Sequence, residues 1–184
     1  MTEFDCGPTT FCNALSYLYQ REEIPIELIK GIYYYTLDMY NNIKTFGAGG
    51  TSKSAATFLT NWMNHYSKTH NFDLNCKKIK GKKVSINYLK QFLNKKSVIV
   101  LRLWSLVEHY VLLLKIDNNF AYFFDPYFQN TGFYKNEKEI EMIYKNKFSY
   151  NRKVSIKRLE SVDCTLDYTL GKPNKRECII IRRK

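Results

Sequence analysis

The hydrophobic pattern changes character about halfway along this chain of 184 residues. In the first half, apolar residues recur at the spacing of an amphipathic helix, as in Phe11, Ala14, Leu15 and Leu18. The second half carries runs rich in β-branched and aromatic residues, namely SVIVLRL, HYVLLLKI, FAYFFDP and ECIIIRRK, which are typical of strands. We therefore predict one α+β domain over residues 1–184, in which N-terminal helices pack on a mostly antiparallel sheet.

The same patterns predict further elements. A second helix is expected from about Pro25, a third after the loop NNIKTFGAGG, and a short fourth within SINYLKQFLNKK. The tripeptide DNN is predicted to turn a hairpin between two strands, and TLDYTL is a further candidate strand. The buried faces of the second and third helices are expected to consist of Ile29, Ile32, Tyr33 and Leu37, and of Leu59, Trp62, Met63 and Tyr66.

Composition excludes several classes of protein. Hydrophobic residues make up 45% and charged residues 25%, and no apolar run approaches the ~20 residues of a membrane span. No basic region precedes an apolar stretch at the N-terminus, so we expect no signal peptide and a cytoplasmic location. The five cysteines are irregularly spaced, which predicts neither a disulfide framework nor a zinc site, and we expect no metal and no cofactor.

The net charge of +12 is compatible with nucleic acid, an anionic membrane or an acidic substrate as a partner. The Lys and Arg residues are spread along the chain, with local clusters at KKIKGKK and KRECIIIRRK, and no nucleic-acid-binding motif accompanies them. We interpret the charge as a solvated basic surface and expect no nucleic-acid partner.

Cys6 stands directly before a run with helical spacing, in DCGPTTFCNAL, and Pro8 suits the first helical turn. The thiolate is the reactive form of cysteine, and a helix N-terminus lowers the thiol pKa by placing partial positive charge beside the sulfur. A neighbouring imidazolium lowers it further. Cys6 is therefore a candidate nucleophile, whereas Cys12, about one and a half turns on, is interpreted as a small buried residue.

His109 is the best candidate among the three histidines for the partner of Cys6. His65 and His70 lie in the polar segment MNHYSKTHNF and are expected at the surface, whereas His109 opens the strand HYVLLLKI. Asp125 ends the next predicted strand. A hairpin about DNN brings His109 and Asp125 to the same open end, because each lies eight residues from the first residue of that turn. The carboxylate could then fix the tautomer of the imidazole.

Three blocks of the chain resemble the bacteriocin-processing, papain-like cysteine peptidases: DCGPTTFCNAL, LKQFLNKKSVIVLRL and HYVLLLKIDNNFAYFFDPY, in that order. Members of that family typically cleave leader peptides after a double glycine, and related stand-alone domains are common. The resemblance implies a papain-like fold with Cys6 as the nucleophile, His109 as the general base and Asp125 as the residue that orients the histidine.

The resemblance also implies which residues line the cleft and the oxyanion hole. The segment FGAGGTSKSAA is similar to the loop and helix start that flank the cleft in this family. The family usually carries a glutamine six residues before the cysteine, and that position would precede Met1 here. The backbone N–H of Cys6 is expected as one oxyanion donor, with Gln129 or Asn130 as guesses for a second. The candidate cleft residues are Asp5, Gly7, Gly49, Gly50, Thr51 and Trp104.

The residues therefore predict a thiol-dependent hydrolase, most simply a cysteine peptidase with a peptide or protein substrate. Two alternatives remain open: an acyltransferase or transglutaminase-like enzyme with the same triad, and a peptide-binding module that has lost turnover, which the missing glutamine favours. Nucleotide binding is disfavoured, because GAGGTSKS lacks the second glycine of the phosphate-binding loop and follows a helix rather than a strand. Thr51 or Ser52 is instead expected to cap the third helix.

Overall fold

Within residues 4–127, 129–130, 132–144 and 149–184, the computed structural model shows five α-helices and seven β-strands. The α+β class predicted from the sequence is confirmed. The helices are α1 (Cys6–Leu18), α2 (Ile26–Thr36), α3 (Lys53–Thr69), α4 (Ile86–Lys90) and α5 (Ile156–Glu160). The strands are β1 (Leu74–Lys80), β2 (Ser97–Ser105), β3 (Val107–Ile116), β4 (Phe120–Phe124), β5 (Ile140–Met142), β6 (Arg152–Ser155) and β7 (Glu177–Arg183).

The strands form one sheet in the order β1-β7-β2-β3-β4-β6-β5. Every neighbouring pair is antiparallel. Strand β7 is the last strand along the chain, yet it lies between β1 and β2. The two hairpins β2–β3 and β3–β4 occupy the middle of the sheet and carry the segments HYVLLLKI and FAYFFDP.

The sheet separates two hydrophobic cores. On one face α1, α2 and α3 pack against residues such as Val100 and Tyr110, and on the other α4 and α5 pack against residues such as Leu101 and Val111. Successive residues of β2 and β3 alternate between the cores because side chains along a strand point to opposite faces. Both faces are covered, so these central strands read as continuous apolar runs rather than as alternating patterns.

The predicted stripe of α1 is buried, that of α3 is buried except for half-buried Trp62, and that of α2 is buried only in part. Phe11 and the rest of the predicted α1 stripe are buried. In α2, Leu28 and Ile32 are buried but Tyr33 is 40% exposed. The helix is rotated relative to the predicted orientation, because its inner face carries Gly31, which packs against Trp62. An added Cβ at Gly31 would come within 2.2 Å of the Trp62 ring. The other two predicted members are half-buried, Ile29 within α2 and Leu37 just after it.

The β3–β4 hairpin turns at DNN as predicted. The N–H of Asp117 donates to the carbonyl of Phe120 at 3.0 Å, and the Asp117 carboxylate accepts the N–H groups of two following residues. The pairing register then shifts between Leu113 and Lys115, which marks a β-bulge. This shift changes which residue of β4 lies opposite each residue at the open end of the hairpin.

Two sequence predictions about strands need correction. TLDYTL is a series of turns with a single isolated bridge at Thr169, because its main-chain groups bond to loops rather than to a strand ladder. Strand β1 was not predicted, because lysines and an asparagine separate its three apolar residues, Leu74, Cys76 and Ile79. Among the residues that the structure describes, none of the helices has the length and apolarity needed to cross a membrane.

Candidate active site

Cys6 is the first residue of α1, a helix of 13 residues. Asp5 takes the N-cap position, but its side chain makes no capping hydrogen bond. The first N–H groups of a helix have no partner within the helix, so partial positive charge collects where the Cys6 sulfur lies. The apolar side of α1 packs on the sheet and holds Cys6 over β3, where the main-chain N–H of Tyr110 helps to lower the pKa of the thiol.

His109 and Asp125 form a buried pair. The side chain Nε2 of His109 lies 2.8 Å from Oδ1 of Asp125. The two residues are only 8% and 3% exposed. Because Nε2–H donates to the carboxylate, the other ring nitrogen, Nδ1, is the one available to the Cys6 thiol, whose pKa the ring lowers.

The sequence prediction that His109 and Asp125 share one end of a hairpin agrees with this geometry, but the residue count behind it is off. The last regular pair of the hairpin is Leu112 with Phe124. Extending that register by one residue sets Asp125 beside Val111, two positions from His109 on the same face of the strand. The two side chains therefore meet diagonally, which the bulge in β3 brings about and which a symmetric count about the turn cannot foresee.

The electrostatics favour a charged pair of thiolate and imidazolium. Burial acts to raise the pKa of the Cys6 thiol, but the hydrogen bond with His109 and the charge of its ring outweigh burial, and the pKa is lowered. Burial likewise acts to lower the pKa of His109, but the charge of Asp125 and the hydrogen bonds to Asp125 and Cys6 raise it to about 10. Each partner thus stabilises the charged form of the other.

Asp125 stays ionised although it is buried. Burial acts to raise the pKa of its carboxyl, and the charge and hydrogen bond of His109 overcome that effect, aided by hydrogen bonds from the hydroxyl of Tyr168 and the N–H of Tyr127. These two donors lie at 2.6 Å and 2.8 Å from the carboxylate oxygens. A carboxylate with several donors is held in one orientation as well as in one charge state.

Asn151 and Tyr168 support Asp125, and no sequence motif predicted either of them. Asn151 precedes β6, and its side-chain amide binds both main-chain groups of Asp125 at 2.8 Å. Tyr168 lies in the segment that was predicted to be a strand. Both residues follow Asp125 by more than two dozen positions with no motif around them, so only the three-dimensional structure connects them to the site.

Several of the predicted cleft residues lie beside the N-terminus of α1. Gly7 packs against Thr51 so closely that an added Cβ would be 2.0 Å from Thr51 Oγ1. Gly50 is buried with a φ of +94°, a conformation that favours glycine. Gly49 leaves no room for a side chain either, because its Cβ would come within 2.2 Å of the Tyr40 carbonyl. The loop before α3 is thus fitted against the helix that begins with Cys6, and Ser52 caps α3 by accepting the N–H of Ala55 at 3.0 Å.

The other predicted site residues are placed less directly. Trp104 pairs through its main chain with Thr169, with hydrogen bonds of 2.8 Å and 3.2 Å. Gln129 is half-buried and Asn130 is exposed. Among the hydrogen bonds of the described residues, none joins Gln129 or Asn130 to Cys6, His109 or Asp125, so a role in the oxyanion hole stays a prediction for both.

The remaining histidines and cysteines lie apart from this arrangement. His65 and His70 are exposed, as predicted, and Cys12 is half-buried rather than fully buried. Within the described ranges of the chain, no three His, Cys, Asp or Glu side chains converge in a way that could hold a metal ion. A comparison with protein-family models finds no match, and neither does a comparison with curated protein sequences.

Proposed function

We propose that the chain is a papain-like cysteine peptidase that cleaves a peptide or protein substrate through Cys6, His109 and Asp125. The observation that carries the proposal is the His109 ring, which is hydrogen-bonded to buried Asp125 and lowers the pKa of the Cys6 thiol. Cysteine nucleophiles of hydrolases are activated by such a histidine and a third orienting group. The nucleophile at the start of a helix and the histidine on an antiparallel sheet are the features that a papain-like fold requires.

In the first half of the proposed reaction, the Cys6 thiolate attacks the carbonyl carbon of the scissile bond and the carbonyl oxygen becomes an oxyanion. The C–N bond then breaks, and the leaving amine takes the proton from Nδ1 of His109. The products of this step are a free amine, a thioester on Cys6 and a neutral imidazole. Asp125 keeps the ring in place throughout, because its Oδ1 accepts a hydrogen bond from Nε2–H, which stays protonated.

In the second half, a water molecule gives a proton to Nδ1 of His109 and its oxygen attacks the thioester carbonyl. The C–S bond breaks, which releases a carboxylic acid and restores the thiolate and imidazolium. The backbone N–H of Cys6 serves as one oxyanion donor, since it belongs to the same residue as the attacking sulfur. The reaction needs a reduced thiol, and all five cysteines are unpaired, so we propose a reducing compartment such as the cytoplasm.

The proposal is tested by incubating the protein with a library of peptides derived from a proteome and identifying new peptide termini by mass spectrometry. We expect new termini with the wild type and none with Cys6→Ala or His109→Ala. Cys12→Ser is the matched control, because it also removes a thiol from α1 but lies outside the triad, and it should cleave like the wild type. Cleavage that survives Cys6→Ala would overturn the proposal.

Two other results would favour one of the alternative functions over hydrolysis. Products that carry an added amine, such as hydroxylamine, in place of water would favour acyl transfer over hydrolysis. A wild-type thiol that reacts quickly with electrophiles while no peptide in the library is cut would favour a binding module that retains the site without turnover.

A further inference from the structure

Tyr168 and Arg152 lie behind Asp125, on the side away from His109. Tyr168 is 1% exposed, and its hydroxyl donates to Oδ2 of Asp125 at 2.6 Å. The same hydroxyl oxygen accepts a hydrogen bond of 3.0 Å from Nε of Arg152, which is 2% exposed. A donor and an acceptor role are thus both used, and the hydroxyl hydrogen is directed at the carboxylate.

Arg152 also reaches the second oxygen of Asp125 through one intermediate residue. Its Nη2 donates to the carbonyl of Tyr127 at 3.0 Å, and the N–H of Tyr127 donates to Oδ1 of Asp125 at 2.8 Å. Its Nη1 donates to the carbonyl of Asn151 at 3.0 Å. The planar guanidinium therefore holds three neighbours of the carboxylate in a fixed arrangement, which a lysine could not do.

The main chain at Tyr168 adopts a conformation that a tyrosine rarely takes. Its φ is +58°, in the left-handed region. A bulky residue persists there only when surrounding contacts over-determine it. Those contacts exist: Thr169 is bonded in both directions to Trp104, and the N–H of Leu170 donates to the carbonyl of Leu159 at 2.8 Å. The strained main-chain conformation therefore occurs at the residue whose hydroxyl donates to Asp125.

We propose that Tyr168 is a positioning residue for the Cys6–His109–Asp125 site, and that Arg152 acts through it. The inference rests on the proposed function. The charges then alternate along a row of four side chains, from the cation Arg152 to the anion Asp125, the cation His109 and the anion Cys6. The net charge of the row is zero. Tyr168 passes the influence of the arginine to Oδ2 of Asp125 without a direct ion pair, while Oδ1 accepts the N–H of the imidazolium.

The test is the rate of Cys6 alkylation by iodoacetamide as a function of pH. In Tyr168→Phe the carboxylate loses the donor that holds its orientation, so it can turn away from the His109 ring, and the imidazolium and hence the thiolate are less stabilised. We expect the acid limb of the profile to move to higher pH by about half a unit or more. The matched control is Tyr134→Phe: its hydroxyl also donates to a carboxylate, that of Asp167, at 3.0 Å, and its ring packs on Tyr168.

A purely structural role predicts a different result, namely a lower melting temperature with an unmoved limb in both tyrosine variants. If Tyr168→Phe does not fold, Arg152→Lys serves as the second variant and should move the limb in the same direction. The role of Tyr168 alone would be overturned if the acid limb of the wild type lies at a lower pH than that of a free thiol and a folded variant has its limb at the same pH as the wild type. If the acid limb of the wild type lies where that of a free thiol does, the proposed function would be overturned instead.

Discussion

Thr10 fastens the helix of the nucleophile to the strand of the histidine. Its hydroxyl donates a buried hydrogen bond of 3.0 Å to the carbonyl of Tyr110, the residue after His109. The N–H of Tyr110 contributes to lowering the pKa of Cys6, one helical turn before Thr10. Both main-chain groups of Tyr110 therefore interact with α1, which holds the helix of the nucleophile beside the strand of the histidine.

Replacing Thr10 by valine should loosen this attachment while keeping the shape of the side chain. We expect a loss of about 1–3 kcal/mol in the free energy of unfolding, because a buried carbonyl loses a donor, and a several-fold slower alkylation of Cys6. Urea unfolding and alkylation rates measure the two effects. Thr60→Val is the control, since Thr60 is equally buried and bonds only to a carbonyl within α3. It should cost stability without slowing Cys6.

Cys6 should react with limiting iodoacetamide before the buried cysteines do. Burial raises the pKa of Cys12 to about 11 and those of Cys76 and Cys178 to about 12, whereas the pKa of Cys6 is lowered. Peptide mapping by mass spectrometry gives the order of labelling. His109→Ala should slow Cys6 labelling at neutral pH by about tenfold or more, since each unit of pKa is a factor of ten in thiolate.

Asp125→Asn should slow the same labelling less than His109→Ala does, because the ring remains while its anionic partner is lost. Both proteins should keep the wild-type circular dichroism spectrum. A rate profile that His109→Ala leaves unchanged in a folded protein would show that Cys6 is a structural cysteine.

The stability of the fold should fall on the alkaline side through His109. Its pKa is raised from 6.5 to about 10 in the folded protein, so the charged ring stabilises the fold fully below pH 6.5 and loses that effect as the pH rises through 10. The difference in unfolding free energy between wild type and His109→Gln should therefore shrink between neutral pH and pH 10. Urea titrations at a series of pH values measure it, with exposed His65→Gln as the comparison. A difference that stays constant over that range would contradict the charged pair.

Gly7→Ala should disturb the loop before α3. The new Cβ would meet Thr51 Oγ1 at 2.0 Å, and such overpacking costs about 1–3 kcal/mol. Adding Thr51→Gly should recover part of the loss, because it removes all three atoms that the Cβ would meet. Gly132→Ala is the control, since nothing lies within 4 Å of the position of its Cβ. Differential scanning calorimetry shows whether the double variant regains a higher melting temperature.

The fold class could be predicted from the sequence because its two patterns are strong. The stripe that begins at Phe11 has the period of a helix, and runs such as SVIVLRL have the composition of buried strands. Strand β1 could not be predicted in this way, since LNCKKIK has only three apolar residues among lysines and an asparagine and reads as a basic surface segment. In the sheet those three residues are shared between the two cores: Leu74 and Cys76 enter one and Ile79 enters the other.

The proximity of Cys6, His109 and Asp125 could be anticipated from local signals: a helix start, a polar residue opening an apolar strand, and a turn between two strands. The diagonal contact could not, because one extra residue in β3 moves the register without leaving a recognisable pattern. The hydrogen-bond donors behind Asp125 could not be predicted from the sequence either. Tyr168 and Arg152 act through tertiary contacts, and single buried polar residues carry no periodicity that would reveal them.

The place of β7 in the sheet bears on how the protein is made. Strand β1 pairs with β7 alone, and β7 in turn pairs with β2, so the first and second strands along the chain are joined only after Glu177–Arg183 has been synthesised. Pairings of such large sequence separation form late in folding. The hairpin that carries His109 and Asp125 needs no such partner, because β3 and β4 pair with each other across a short turn. The two ends of the sheet should therefore acquire their order at different times, the β3–β4 hairpin early and the β1–β7 edge last.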